Sequence, residues 1–322
     1  MRAMRLTRLD GPSALELADV PEPSSADHLL VEIHAAGVGF PDLLMSRGRY
    51  QFRPEPPFIP GVELAGIVQQ APEGSAFQQG DRVAASAPLG AWAEFALAAP
   101  VVTFPIPEGM TYAQATALVN YQSAYFGLVE RGSASAGETV LVHGAAGGVG
   151  SAAVDVATAL GLQVIAVARG EEKLATARGL GAKHCFDAEG DWLSEVKTVT
   201  DGAGVDLVFD PVGGDGFLNS VRALGPLGRL LVIGFAGGTI PEVKVNRLLL
   251  RNSAVVGVAW GEFIRRDPAM PQRVGKALAA LWDAGKINPL VGATFPLEQA
   301  ADALREIEGR RAIGKIVLLI RK

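Results

Sequence analysis

Gly144, Gly147, Gly148 and Gly150 stand within a stretch reading GAAGGVG, after a short apolar run, Val140 to Val142, and before a segment whose Ala152, Ala153, Val156 and Leu160 recur at helical spacing. Strand, glycine loop and helix in that order make a cradle for a dinucleotide pyrophosphate. Gly147 and Gly148 let the backbone approach phosphate oxygens with no Cβ in the way, and the first amides of the helix face the anion along the positive end of the helix dipole. The binding set expected from this loop is Ala146, Gly147, Gly148, Val149 and Gly150. The loop departs from G-x-G-x-x-G in carrying Ala145 where the first glycine would stand, which is tolerable only if φ stays negative there.

A second checkpoint lies at the end of the next apolar run, Val164 to Ala168. An NAD site usually places an acid there for the adenosine ribose hydroxyls. This chain instead has Ala168 then Arg169, with Lys173 one helical turn further on. Two cations and no acid at that point suit a 2′-phosphate, so the sequence favours NADPH, with Glu171 and Glu172 offsetting part of the charge.

Length and composition set the frame for these residues. A chain of 322 residues is long enough to split into two domains, and 49% of it is hydrophobic. No apolar run reaches the roughly 18 residues of a membrane span, and MRAMRLTRLDG has no apolar core of a signal peptide, so the expectation is a cytoplasmic protein. A net charge of −5 without a basic cluster leaves no electrostatic footprint for nucleic acid. The one cysteine, Cys185, excludes an internal disulfide and a multi-thiolate metal site, and reads as a small hydrophobe in a short strand.

The elements that would position the loop follow from hydrophobic rhythm. Residues 1–118 alternate short β-like runs with proline and glycine turns, which suggests a mostly antiparallel, partly barrel-like β domain. From Leu118 a helix to about Glu130 leads into strands alternating with helices of about ten residues, the pattern of a doubly wound parallel sheet. After Trp260 two helices and a last strand, Ile316 to Ile320, return to the first domain. The expected division is therefore 1–118 with 261–322 as a catalytic domain and 119–260 as the dinucleotide-binding domain, with a cleft between them. Ligands of such sheets bind at the carboxyl ends of the strands, so His143, Asp210 to Gly214 and Gly234 to Gly238 should ring the cofactor. The run SAVVGVAW, Ser253 to Trp260, would be the last strand, and its open edge would be covered by a second copy in a homodimer.

The order GPSALELADVPEP, AAGVGFPDLLMSRGRY, PFIPGVELAGIV, GDRV, AAGGVG, DPVGG, GFAGG and GKIVLLI resembles the zinc-free quinone oxidoreductase, or zeta-crystallin-like, branch of the medium-chain dehydrogenase/reductase superfamily over essentially the whole chain. The resemblance implies an α/β protein with a Rossmann domain and a chaperonin-10-like, mostly β catalytic domain. It also implies NADPH as hydride donor, a quinone as acceptor and a homodimer. Where zinc-dependent relatives place a cysteine ligand this chain has Gly39, and where they place a histidine before glutamate it has Val62 before Glu63, so no metal site is expected. His28 and His34 read as solvent-facing or satisfied strand residues, and Asp42 and Glu63 as structural carboxylates.

By the same resemblance Tyr50 is the candidate catalytic donor, a phenol able to hydrogen-bond an oxygen that gains charge. Asn120 and Ser123 would face the nicotinamide, Gly234, Phe235 and Ala236 would lie beside it, and Lys315 would lie near the phosphate end of the cofactor. Related enzymes often carry asparagine at Gly39, and its absence here removes a polar contact. Two other readings share these residues: an enoyl or alkenal reductase acting on an activated C=C bond, and an NADPH-binding regulatory protein with negligible turnover.

Overall fold

The computed structural model describes residues 1–321. Contacts divide the chain into two units. The first takes residues 1–119, 268–279 and the chain from Pro289 on, and the second takes Asn120–Asp267 and Ala280–Asn288. The return to the first unit thus begins at Pro268, and the short stretch Ala280–Asn288 belongs with the second unit, a crossing that local pattern did not mark. Part of the reason is a single carboxylate, because Asp155 Oδ2 accepts the backbone N–H of Asn288 at 2.8 Å.

The second unit is built on one sheet of six parallel strands. Their spatial order is His184–Asp187, Gln163–Ala168, Thr139–His143, Val205–Asp210, Leu224–Val232 and Ala254–Gly257. This is the doubly wound order in which the chain starts at the centre, moves to one edge and then crosses to the other, leaving a switch point beside Thr139–His143. Val140, Leu141 and Val142 are fully buried, as a central strand covered on both faces requires. The helix after the glycine loop, Gly148–Ala159, packs Ala152, Ala153, Val156 and Ala157 inward. Its neighbour Leu118–Tyr125 continues into a wider turn, Phe126–Arg131, where Gly132 N–H reaches the Gly127 carbonyl five residues back at 2.8 Å. A Cβ at Gly127 would lie 3.1 Å from the Phe209 ring, so the wide turn seats tightly on the sheet.

The first unit holds a seven-stranded sheet, in which Leu29–Val38 pairs antiparallel with Glu63–Gln70, with Phe95–Ala98 and with Lys315–Leu319. Val291–Pro296 adds to Lys315–Leu319 in parallel. Its core gathers Val31, Ile33, Leu64, Val83, Trp92 and Leu318, and the Trp92 indole N–H donates to the Gly37 carbonyl at 3.0 Å. A short helix, Phe40–Ser46, follows the long strand and leads to Tyr50.

Candidate functional site

The glycine loop lies at the carboxyl end of Thr139–His143, where a left-handed Gly144 (φ 58°) turns the chain. Ala145 is absent from the positive-φ residues, so the alanine in the fingerprint carries no backbone strain. Gly147 N–H donates back to the Gly144 carbonyl at 2.9 Å, and Gly147 itself caps the helix with no side-chain acceptor on the first amides. Those amides have no partner within the helix and are the donors a pyrophosphate would take. The glycines divide the work. A Cβ at Gly150 would collide with the Gly144 carbonyl oxygen, whereas one at Gly147 would meet only that oxygen, at 3.4 Å. Gly150 therefore closes the loop against the strand, and Gly147 leaves the approach open.

Asn120 stands over this loop, since a Cβ added to Gly148 would lie 3.2 Å from its Nδ2. The next residue fixes the helix that carries it. Tyr121, buried, donates its phenol to Asp155 Oδ2 at 2.6 Å, and burial followed by the Asp155 charge pushes the phenol pKa up. Burial also raises the Asp155 carboxyl, which Tyr121 and the Asn288 amide pull back down. This three-way junction ties Leu118–Tyr125, Gly148–Ala159 and the Asn288 segment together. Sequence reasoning missed it, although Asp155 is the one carboxylate inside the apolar run SAAVDVATAL. Ser123 lies half-buried on the same helix as Asn120.

At the end of the second strand, Arg169 and Lys173 come close enough that the guanidinium adds to burial in lowering the Lys173 ammonium pKa. Arg169 is paired with Glu189, Nε to Oε1 at 2.8 Å. On the other side of the switch point the loops after Val205–Asp210 and Leu224–Val232 are joined. Ala236 N–H donates to Pro211 O at 3.0 Å and Gly237 N–H to Val212 O at 2.8 Å. Gly213, left-handed, leaves room for the Phe235 ring, which is partly exposed. Gly234 and Ala236 flank it, half-buried.

Three residues have surroundings that the sequence did not suggest. His143 is buried, with Nε2 2.8 Å from Ser220 Oγ and its ring edge-on to Trp192. Burial lowers its pKa against the pull of Asp210. Lys315, expected near the phosphate end of the cofactor, is engaged by a carboxylate of its own unit. It is 3% exposed in the first unit and forms an ion pair with Glu63, because the strand that carries it lies beside Leu29–Val38 in the sheet interior. His34 stacks on Tyr112 at 4.4 Å, but its buried Nε2 has no hydrogen-bond partner, so it is not a satisfied strand residue; burial lowers its pKa. His28 is exposed and bonded to Ser25.

Tyr50 lies in the first unit, half-buried, and its carbonyl accepts from Arg53 Nε at 3.1 Å. Within the helix Phe40–Ser46, Asp42 Oδ2 accepts the Gly39 N–H at 2.8 Å while its buried Oδ1 has no partner at hydrogen-bonding distance. Burial is the largest influence on Asp42 and raises its carboxyl to about 7, with the Gly39 and Gly61 amides and Lys315 pulling it down and the Glu63 charge pushing it up. A Cβ at Gly37 would run into the Glu63 carboxylate and the Lys315 side chain, which explains the glycine in that strand.

Two family profiles match in chain order: the alcohol dehydrogenase GroES-like domain over residues 25–108 and the zinc-binding dehydrogenase over residues 148–280. The chain is 36% identical to the quinone oxidoreductase-like protein 2 of Bos taurus, over 99% of this chain and 93% of that one. Among solved structures it resembles a probable oxidoreductase from Mycobacterium abscessus at 42% identity and a TM-score of 0.92, with 99% of each chain covered. It also resembles the quinone oxidoreductase of Thermus thermophilus, solved alone and with NADPH, at 36% identity and a TM-score of 0.84, over 99% of this chain and 100% of that one. Whole-length identity at this level, on a sheet of doubly wound order with a GroES-like partner unit, decides the question of kinship: the chain belongs to the zinc-free quinone oxidoreductase branch of the medium-chain dehydrogenase/reductase superfamily.

Proposed function

We propose that this protein is an NADPH-dependent, zinc-independent quinone oxidoreductase that acts as a homodimer. The observation that carries the cofactor reading is the uncapped helix N-terminus at Gly147 to Gly150 with Asn120 over it and two converging cations, Arg169 and Lys173, at the end of the next strand. NADPH supplies a hydride, and a quinone that takes it up together with a proton becomes a hydroquinone. The chain's own task is positioning: amides 148–150 hold the pyrophosphate, Asn120 and Ser123 orient the nicotinamide end, and Phe235 with Gly234 and Ala236 shields it. Tyr50 is assigned as donor to the acceptor oxygen.

The residues present do not fit a catalytic zinc. Gly39 and Val62 bring no ligand atom, and the cation beside Glu63 is already the Lys315 ammonium. Among the described residues no helix is long and apolar enough to cross a membrane. The dimer reading is supported by the edge strand Ala254–Gly257 and by the apolar patch beside it in sequence, where Leu249 and Leu250 are 76% and 79% exposed. NADPH oxidation measured across quinones, enones and enoyl thioesters tests the activity. Preferential turnover of quinones is expected, and turnover confined to enones overturns the acceptor assignment. Sedimentation of wild type against a Leu249→Lys, Leu250→Lys variant tests the assembly, and a wild-type monomer at all concentrations refutes it.

A further inference from the structure

The candidate 2′-phosphate corner contains more than its two cations. Asp187, the last residue of His184–Asp187, is in register with Ala168, the last residue of Gln163–Ala168, so the two strands release their following residues side by side. Asp187 then folds its own turn. Oδ1 accepts the Glu189 N–H at 2.8 Å, the Asp187 carbonyl accepts the Gly190 N–H at 3.1 Å, and Oδ2 crosses to the Gly170 N–H at 2.9 Å. The result is a turn pinned to the start of the next helix, with Glu189 held where its carboxylate reaches Arg169. Both side chains of that pair are more than half exposed, 56% and 68%, so the pair can open without unpacking anything.

We infer that Glu189 is a specificity-determining residue: it competes with the 2′-phosphate of NADPH for the Arg169 guanidinium and so narrows the preference for NADPH over NADH. The inference rests on the NADPH reading above and adds to it a residue that works against the phosphate. A 2′-phosphate must take Arg169 from Glu189, whereas a cofactor with a plain 2′-hydroxyl leaves the ion pair intact. The carboxylate at Asp187 has a different part. It shapes the turn through two backbone contacts, to the Glu189 and Gly170 amides, so its removal would disturb the corner as a whole, and Glu189 is the residue to test.

The experiment is an equilibrium titration of NADPH and of NADH, read by nicotinamide fluorescence or calorimetry, on wild type, Glu189→Gln, Arg169→Gln and the double variant. Glu189→Gln should tighten NADPH about two- to fivefold, the range an exposed ion pair supports, and leave NADH unchanged. The gain should vanish in the Arg169→Gln background and shrink in high salt, where exposed charges are screened. Unchanged NADPH affinity, equal tightening of both cofactors, or a gain that survives Arg169→Gln overturns the competition while leaving the NADPH reading standing. Wild type that binds neither dinucleotide overturns that reading, and this inference with it.

Discussion

Asp42 offers the sharpest quantitative test, because its environment converts a structural observation into a pH dependence with a definite sign. The carboxyl is buried, one oxygen is held by Gly39 and the other has no partner, and its pKa is raised to about 7 from an ordinary 3.8, chiefly by burial. The folded protein therefore holds a proton that the unfolded chain releases near pH 4. Folding stability from this group is fully present below about pH 4, is lost as pH rises towards 7, and stays lost above that. At about 1.4 kcal/mol per pH unit, the loss is about 4 kcal/mol. Asp42→Asn keeps an oxygen for the Gly39 amide and removes the titration. The overall pH curve cannot isolate the effect, since the lowered pKa values of His34 and His143 make stability rise with pH as they deprotonate, and the raised Asp155 adds to the fall. The difference between wild type and variant can. Thermal unfolding from pH 4 to pH 8 should show wild type losing ground to Asp42→Asn by about 4 kcal/mol, on the order of 8 °C in midpoint. A pH-independent difference would refute the assignment of a neutral, buried Asp42.

The other predictions concern the cofactor loop, the metal and the acceptor. Gly147→Ala should leave the thermal midpoint nearly unchanged but weaken NADPH at least tenfold, because the added methyl meets only the Gly144 oxygen at 3.4 Å and fills the ligand's approach; retained affinity would disprove that division. Gly150→Ala should lose about 1–3 kcal/mol of stability as well, since its methyl is driven into the Gly144 carbonyl, and a midpoint equal to wild type would count against the close approach described. Elemental analysis of purified protein should find no stoichiometric zinc, and one zinc per chain would sink the zinc-independent reading. Tyr50→Phe keeps the ring and deletes the donor, so turnover with quinones should fall only a few-fold but with an enone about a hundredfold or more, the scale of a lost oxyanion donor. Equal losses on both acceptors would remove Tyr50 from the chemistry.

The parallel sheet is legible because short apolar runs alternate with segments of helical spacing, and the glycine loop is legible because its spacing states a backbone requirement. What local pattern could not supply was direction and distant partnership. His143 ends a strand at the cofactor side of the sheet, yet alternation along the strand turns its ring to Ser220 and Trp192, and only the packing of the helix Phe217–Ala223 reveals the partner. Lys315 sits in GKIVLLI as a charge at the mouth of a buried strand. Its destination is decided by Glu63, 252 positions away, through a sheet in which both strands flank Leu29–Val38. Glu189 belongs to the same class of omission. Arg169 and Lys173 look like a cationic corner from the strand they follow, but the charge at that corner also depends on the strand that follows them. The register of Asp187 with Ala168 places a carboxylate turn beside the arginine, and the two acids reduce a corner that looks basic in sequence to one of mixed charge. On the inference drawn for Glu189, cofactor preference in this chain is a property of two adjacent strand ends, and reading it from the first of them alone overstates the bias toward phosphate.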